Sequence, residues 1–508
     1  MTVEKRALNG TIVSTFSFLV GLGQTIVIVP ILISFWGVDN YGLWIGLSAL
    51  TSLLQTIDNG HQNYIGNELT KFYVSDTHKL KVTLASSIWM AGLLGLAQIL
   101  ISLGIVIFGI TEKLIGYDSP FKEDQEVGLS LIILTITWLI TGSIGGILSR
   151  LYLPAGLFVR FTLWGIFTRL FNITSILLTA TFGGGILLAS VIGSVVTFSI
   201  YILFFLDFYK IFYRFYPFWV GGNFKTAFTN VSKSFLLTGA GFLNQLQNNG
   251  LTLFVSSIAG VSSIALLSTM RTLANTFLAA TNIVTVPLAP EMTRYHIQGE
   301  HKKLVDMIST ARWSGGLLIN MSLVITLPFI EIVYLHWTRG QISFSWSLYL
   351  MLAWSISLKN FGNPQIIYLM GINHIKFQTT IAVVQTTVVL AITSLFLAKY
   401  GLIAVGIAIV CSEVIGSVIL STIYTITEVK SLGGSFNFSN VILAFSSVVV
   451  VGLIYLSVGF YWISPLVGSI VGAIILIGLY CWQWQYLSID VRHRLVNLIY
   501  KFIPLGRK

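Results

Sequence analysis

Gly184-Gly-Ile-Leu-Leu-Ala-Ser-Val-Ile-Gly-Ser-Val-Val-Thr-Phe-Ser-Ile-Tyr-Ile-Leu-Phe-Phe-Leu206 holds no charged residue and no proline. A hydrocarbon core about 30 Å thick needs roughly 20 consecutive apolar residues of helix to cross it, and this stretch supplies them. Dividing the rest of the chain at each polar or turn-forming break predicts further segments near 11–35, 41–66, 83–110, 128–151, 163–182, 234–258, 262–288, 312–335, 345–370, 375–398, 401–426, 441–460 and 463–484. They are continuous and far longer than the roughly 10-residue alternating strands of a membrane β-barrel. The expected fold class is all-α, a polytopic membrane protein of about 14 transmembrane helices.

Composition agrees. Of 508 residues, 55% are apolar and 9% charged, against about a quarter charged in soluble domains. Forty-six glycines against 10 prolines, with 34 Phe, 20 Tyr and 13 Trp, suit membrane helices with aromatic belts. The net charge of +11 comes from cations scattered between apolar segments, so a nucleic-acid surface is not expected. Cys411 and Cys481 each fall inside an apolar segment, which supports neither a disulfide framework nor a thiolate metal site.

The first segment follows Lys5-Arg6 and is expected to stay as a helix rather than be cleaved. With the N-terminus in the cytoplasm, 22 Lys and Arg fall on the inner side, including Lys71, Arg150, Arg160, Lys210, Arg312 and Lys376, against four outside, Lys113, Lys122, Arg339 and Lys399. Cations are retained on the cytoplasmic side during insertion, so both termini are expected there. The aromatic, basic stretch 207–233 is expected to lie at the interface and to join a six-helix lobe at 1–206 to a second at 234–430. Residues 431–508 then form two extra helices and a basic tail. The halves carry a weak repeat: Gly37-Val38 aligns with Gly260-Val261, and at one constant offset Tyr152 aligns with Tyr368, Arg160 with Lys376 and Gly185 with Gly401. Two like-oriented halves suit alternating access around a site held between them.

Three stretches carry a family resemblance. They are Val29-Pro-Ile-Leu-Ile-Ser-Phe-Trp-Gly-Val-Asp-Asn-Tyr-Gly-Leu-Trp44 with Ile57-Asp-Asn-Gly60, Val286-Pro-Leu-Ala-Pro-Glu-Met-Thr-Arg294 with Gly299-Glu-His-Lys-Lys-Leu304, and Tyr400-Gly-Leu-Ile-Ala-Val-Gly406. In these the chain resembles the polysaccharide and O-antigen flippases of the multidrug/oligosaccharidyl-lipid/polysaccharide exporter superfamily. The resemblance implies a bacterial inner-membrane protein with two six-helix lobes in a V. Its expected cargo is an undecaprenyl-pyrophosphate-linked oligosaccharide for surface polysaccharide assembly. A polysaccharide polymerase and a chain-length regulator are the protein partners it implies. The family has no shared catalytic signature, so site residues rest on chemistry alone.

A charge at mid-membrane costs about 2.5–3.5 kcal/mol on insertion scales, so each one needs a partner or a wet cavity. Arg169, Arg271, Lys359 and Glu413 lie well inside apolar segments, and Asp58 lies at shallower depth. Arg169 has Asn172 at helical spacing, Arg271 has Asn275 and Asn282, and Lys359 has Ser355 and Asn363. The segment 234–258 adds Asn244, Gln245, Gln247, Asn248 and Asn249. Sugars and pyrophosphate call for amides and cations, so the expected substrate-binding set is Arg271, Lys359, Arg169, Asn275, Asn248 and Asn244. Glu413 and Asp58 are the expected ion-coupling carboxylates, for a proton or sodium, with no other cofactor.

Each assignment has a plainer rival. The amides serve equally as interhelical glue, Lys359 and Glu413 as a structural ion pair, and Arg169 as a snorkelling cation. Asp58 before Asn59-Gly60 also reads as a residue at a helix break. The histidines, including His61, His296 and His374, have no ligand spacing within a helix, so no metal site is expected. Pro30, Pro287, Pro290, Pro328 and Pro364 are the positions at which helices are expected to bend. Among competing functions, a multidrug exporter of the same superfamily wants buried acids for cationic drugs, and here buried cations outnumber acids. A lipid II exporter shares the anionic cargo. A membrane glycosyltransferase or polymerase needs carboxylates in extramembrane loops, which are short here, and a nucleotide-driven pump needs a GxxxxGK[ST] loop, which the sequence lacks.

Overall fold

The computed structural model describes residues 3–117, 121–285, 288–372, 374–434, 438–487 and 492. Among the described residues every regular element is helical and none is a strand. The first helical run, Val3–Ser75, contains one residue with non-helical angles, Gly37 at φ 76° and ψ 176°. The apolar part of that run has 64 residues, about 96 Å of helix, three times the hydrocarbon thickness. It is therefore two spans, α1 (3–36) and α2 (38–75). Gly37 adopts a region that only glycine enters without strain.

The remaining long helices are α3 (Thr77–Ile107), α4 (121–149, with a π turn at Leu139–Ile144), α5 (Phe158–Thr181) and α6 (Ile186–Phe212). They are followed by α7 (224–259, with a π turn at Leu246–Gly250), α8 (Val261–Thr285), α9 (301–337), α10 (Trp346–Gly371) and α11 (Ile375–Tyr400). Last come α12 (402–431, with a π turn at Val414–Leu420), α13 (Phe438–Gly459) and α14 (Pro465–Gln485). Each segment expected from the sequence meets one of these helices. Among the described residues, nine helices are long and apolar enough to cross a membrane, or ten with the bent pair His301–Ile325 and Ile330–Trp337, the run Ile12–Ser75 counting as one. Helices α7, α8 and α10 lie outside that set, and they are the ones that carry Asn244, Arg271 and Lys359.

The break between α7 and α8 falls at Gly260, with φ 81° and ψ 167°. This repeats the conformation of Gly37 at the position aligned with it in the duplication. The two breaks also touch: Ser262, two residues beyond Gly260, donates through Oγ to Oδ1 of Asp39, two residues beyond Gly37. A second aligned pair behaves alike, since Tyr152 and Tyr368 are both fully buried, each in an apolar cluster.

Several helices outrun their apolar segments. Helix α7 begins at Phe224 and α9 at His301, because amphipathic turns continue a helix beyond the hydrocarbon wherever one face stays packed. The non-helical part of the connector expected at 207–233 shrinks to the stretch between Phe212 and Phe224, which includes a short 3-10 turn. Asp58 is the clearest change. Helix α2 runs on to Ser75, so Asn59-Gly60 is no break and Asp58 lies mid-helix. Gly60 is there for contact, since a Cβ on it would stand 2.3 Å from Thr238 Oγ1 and 2.4 Å from Thr238 Cα in α7. Of the prolines, Pro328 lies in the 80° bend of α9, whereas the helices containing Pro30 and Pro364 continue through them. Pro290 opens the short helix Ala289–Ile297, and Pro287 lies outside the described residues.

Contacts divide the chain into two compact units. The first holds residues 1–268 with 337–343, and the second holds 269–336 with 344–508. The first is built on an aromatic cluster of Tyr152, Phe204, Phe208, Phe212 and Phe218 and on an aliphatic one around Leu47, Leu50 and Leu131. The second is built on Leu304, Ile308, Tyr368 and Phe377, and on Leu358, Phe361, Val441 and Val448. Outside these cores, Leu100, Ile107, Phe182, Leu395 and Ile474 are exposed, an apolar surface suited to lipid rather than water.

Candidate functional site

Helix α10 is enclosed by the second unit on nearly every side, packing against α9, α12 and α13. Between Trp346 and Leu369 its one exposed residue is Lys359. The Lys359 side chain is 48% exposed, and its Nζ stands 4.0 Å from Oε1 of Glu413 on α12, whose side chain is 7% exposed. Glu413 is held from the other side: its Oε2 accepts from Gln385 Nε2 on α11 at 3.3 Å and from Ser417 Oγ one turn on. Gln385 fits because α12 passes into a π turn there, with Gly416 leaving the room its amide fills. Glu413 is the only ion-pair partner of Lys359 among the described residues, and the open side of the ammonium retains donors for another oxyanion. The expected pairing therefore forms, but as a buried acid beneath a half-open cation.

Arg271 lies on α8 in the same unit and is half-buried, with Asn275 exposed one turn further on the same face. Asn282, the third member expected on that stripe, has a side chain outside the described residues. Asn363, below Lys359, donates to Thr285 Oγ1 at 3.2 Å.

The first unit holds the other candidates. Asp58 is 0% exposed, with Oδ2 accepting from Gln62 Nε2 at 3.1 Å and Oδ1 from Trp138 Nε1 at 3.4 Å. The same Gln62 amide donates to Gly142 O at 3.0 Å, inside the π turn of α4. Among the described residues no cation lies within ion-pair distance of Asp58. His61, one turn along, is buried with neither ring nitrogen bonded. Each unit thus contains a buried carboxylate and a glutamine lodged against a π turn, an arrangement visible only once the helices are packed.

Arg169 on α5 is exposed, and its Nη1 stands 3.1 Å from where a Cβ on Gly21 would lie, so the glycine in α1 gives the guanidinium its place. Its expected companion Asn172 belongs to a different contact, donating to Gly193 O at 3.1 Å and to Thr197 Oγ1 at 2.8 Å on α6. Asn172 is glue between helices. Asn244 and Asn248 are exposed on α7, joined by a bond from Asn248 Nδ2 to Asn244 O at 2.8 Å.

Two polar groups were misread or missed in the sequence. Arg312, counted with the cytoplasmic cations, is 4% exposed inside the second unit. It lies 11 residues past the start of α9 at His301, about 16 Å along the helix, since the helix begins well before the apolar segment does. Asp207 gathers Tyr152 Oη at 3.0 Å, Trp164 Nε1 at 3.0 Å and Arg160 Nε at 2.8 Å, with Arg160 Nη2 on its second oxygen. Arg160 is therefore the arm of an ion pair rather than a free interfacial cation.

Comparison with protein-family models and with curated proteins gives no match. Among solved structures, the lipid II flippase MurJ in its inward closed conformation aligns with a TM-score of 0.65 at 14% identity, over 93% of this chain and 98% of that one. MATE in its bent conformation aligns with a TM-score of 0.54 at 16% identity, over 84% of this chain and 94% of that one. A multidrug resistance MATE family transporter of the MOP superfamily, outward-facing, aligns with a TM-score of 0.55 at 13% identity, over 84% and 96%. These likenesses are of fold, and the proteins concerned are transporters and flippases rather than enzymes. The chain is a multi-pass membrane protein with the helical fold of the MOP-superfamily transporters.

Proposed function

We propose that the protein is a flippase for an undecaprenyl-pyrophosphate-linked oligosaccharide, moving it outward across a bacterial inner membrane by alternating access for O-antigen or another surface polysaccharide. The observation that carries this reading is Lys359, the one exposed residue between Trp346 and Leu369 of α10 and a cation only half satisfied by Glu413. Arg271 with Asn275, and Arg169 with the exposed amides Asn244 and Asn248, extend the same chemistry. Guanidinium and ammonium groups attract phosphate oxygens, and amides bond sugar hydroxyls. The excess of cations over acids at membrane depth favours an anionic cargo over a cationic drug. The likeness to the lipid II flippase, itself a carrier of a lipid-linked cargo by its name, supports the same class and keeps a lipid II-like substrate as the second reading.

In this proposal both termini are cytoplasmic, as the distribution of Lys and Arg favours. Asp58 and Glu413 are the coupling carboxylates. Their neighbours are N–H and O–H donors rather than the ring of oxygens a hard metal cation takes, so the coupling ion proposed is a proton.

The test is export in cells that depend on this protein. Arg271→Ala and Lys359→Ala should each abolish surface glycan while the protein stays in the membrane at its normal level. Normal export by both variants overturns the cationic-site reading. Flipping into proteoliposomes that follows a sodium gradient and ignores a pH gradient overturns the proton.

A further inference from the structure

Arg312 has a place in the second unit that the transport reading does not use. It is 4% exposed, and no carboxylate lies within ion-pair distance of it among the described residues. Its contacts are neutral: Nη2 donates to Gln365 Oε1 at 2.7 Å with the amide in its bonded orientation, and the guanidinium stands 4.7 Å over the Phe361 ring. Nε is buried and has no partner. A buried guanidinium with no carboxylate near it among the described residues is costly, and a cleft borders it. Arg312 lines that cleft, between α9, α13 and α14, together with Ser309, Trp313, Leu443, Tyr486 and Leu487. Beside it lies a smaller pocket that Arg312 also lines, with Asn320, Ser357, Asn360 and Tyr480 among its walls.

We propose that this cleft is a binding site for the phosphate of an anionic membrane lipid, with Arg312 as its receptor. The polar element is one guanidinium with an unused N–H, the pairing arginine makes best with phosphate. The surroundings are those of a lipid rather than a soluble ion. Two aromatic rings, Trp313 and Tyr486, and two leucines line the cleft, and Tyr486 is exposed. Its level fits a head group: Gln483 is two residues from the end of α14 and Leu443 five from the start of α13, about 3 and 8 Å from the helix ends. Trp and Tyr are enriched at that depth. In the proposal the cleft takes the edge of a phosphate while the rest of the lipid stays in the bilayer. The site uses neither Lys359 nor Arg271, so it stands or falls apart from the cargo.

The experiment uses the full chain, purified in detergent and exchanged into vesicles of phosphatidylglycerol or phosphatidylcholine, with retained lipid counted by native mass spectrometry. Wild type is expected to keep phosphatidylglycerol at least tenfold over phosphatidylcholine, and Arg312→Gln to lose that preference. Ser309→Trp, which fills the cleft and leaves the charge, should lose it too, and it keeps the test decisive should Arg312→Gln fail to fold. Inorganic phosphate at millimolar concentration should not displace the lipid. Displacement would leave the oxyanion site but overturn the lipid as its source. Equal retention of the two lipids by wild type, or unchanged retention in Ser309→Trp, overturns the proposal.

Discussion

Replacing Gly37 by alanine isolates the backbone contribution at the joint between α1 and α2. At φ 76° and ψ 176° an alanine enters a region costing about 1–3 kcal/mol. Crowding adds nothing, because a Cβ there meets no heavy atom within 4 Å. The aligned Gly260, at φ 81° and ψ 167°, has its nearest atom, Gly116 O, at 4.0 Å. Gly37→Ala and Gly260→Ala should therefore each lower stability by about 1–3 kcal/mol, roughly a 5- to 150-fold change in the unfolding equilibrium. Gly23 is the control. It lies on the same run with helical angles and has nothing within 4 Å of its Cβ position, so Gly23→Ala should be neutral or stabilising by about 0.5–1 kcal/mol. The measurement is a denaturant titration of purified protein in mixed micelles, followed by tryptophan fluorescence. If Gly37→Ala and Gly23→Ala shift the midpoint in the same direction and by the same amount, the joint is not set by backbone conformation and the reasoning fails.

Gly60→Ala puts a Cβ 2.4 Å from Thr238 Cα and 2.6 Å from its backbone N. It should cost about 1–3 kcal/mol, read as a lower melting temperature, and a variant as stable as wild type would show that α2 and α7 are not in such close contact. Asp207→Asn removes the charge on which Arg160, Tyr152 and Trp164 converge. Because Arg160 is 52% exposed, a loss of only about 1–2 kcal/mol is expected, and it should shrink at high salt. Tyr480→Phe deletes the hydroxyl that accepts from Asn320 at 2.9 Å and meets Ser447 at 3.2 Å. A loss of about 1 kcal/mol follows, and a double-mutant cycle with Asn320→Leu should recover most of it as coupling.

The spans were legible because a bilayer imposes one length on every helix, and runs such as 184–206 have that length. What the apolar count misses is where a helix goes next. Polar turns at His301-Lys302-Lys303 continue α9 and carry Arg312, expected among the cytoplasmic cations, into the interior of the second unit. Asn59-Gly60 reads as a break, yet the missing Cβ serves packing against Thr238. The pair Lys359 and Glu413 was visible as two charges at comparable depth, whereas Gln385, in an apolar stretch, carries no mark that separates it from ordinary glue. Asn172 shows the reverse error: helical spacing placed it beside Arg169, but its amide turns to Gly193 and Thr197. Periodicity specifies a face, and only packing decides what that face meets.

The bonds that bind α14 into the second unit also make it a handle. Trp313 Nε1 donates to Tyr480 O at 3.3 Å and Asn320 Nδ2 to the same residue's hydroxyl at 2.9 Å, and the next residue, Cys481, is an exposed free thiol. With Cys411 replaced by serine, a spin label at Cys481 would ride on a segment fastened to its surroundings, so its reported distances would follow the whole unit rather than a fraying end.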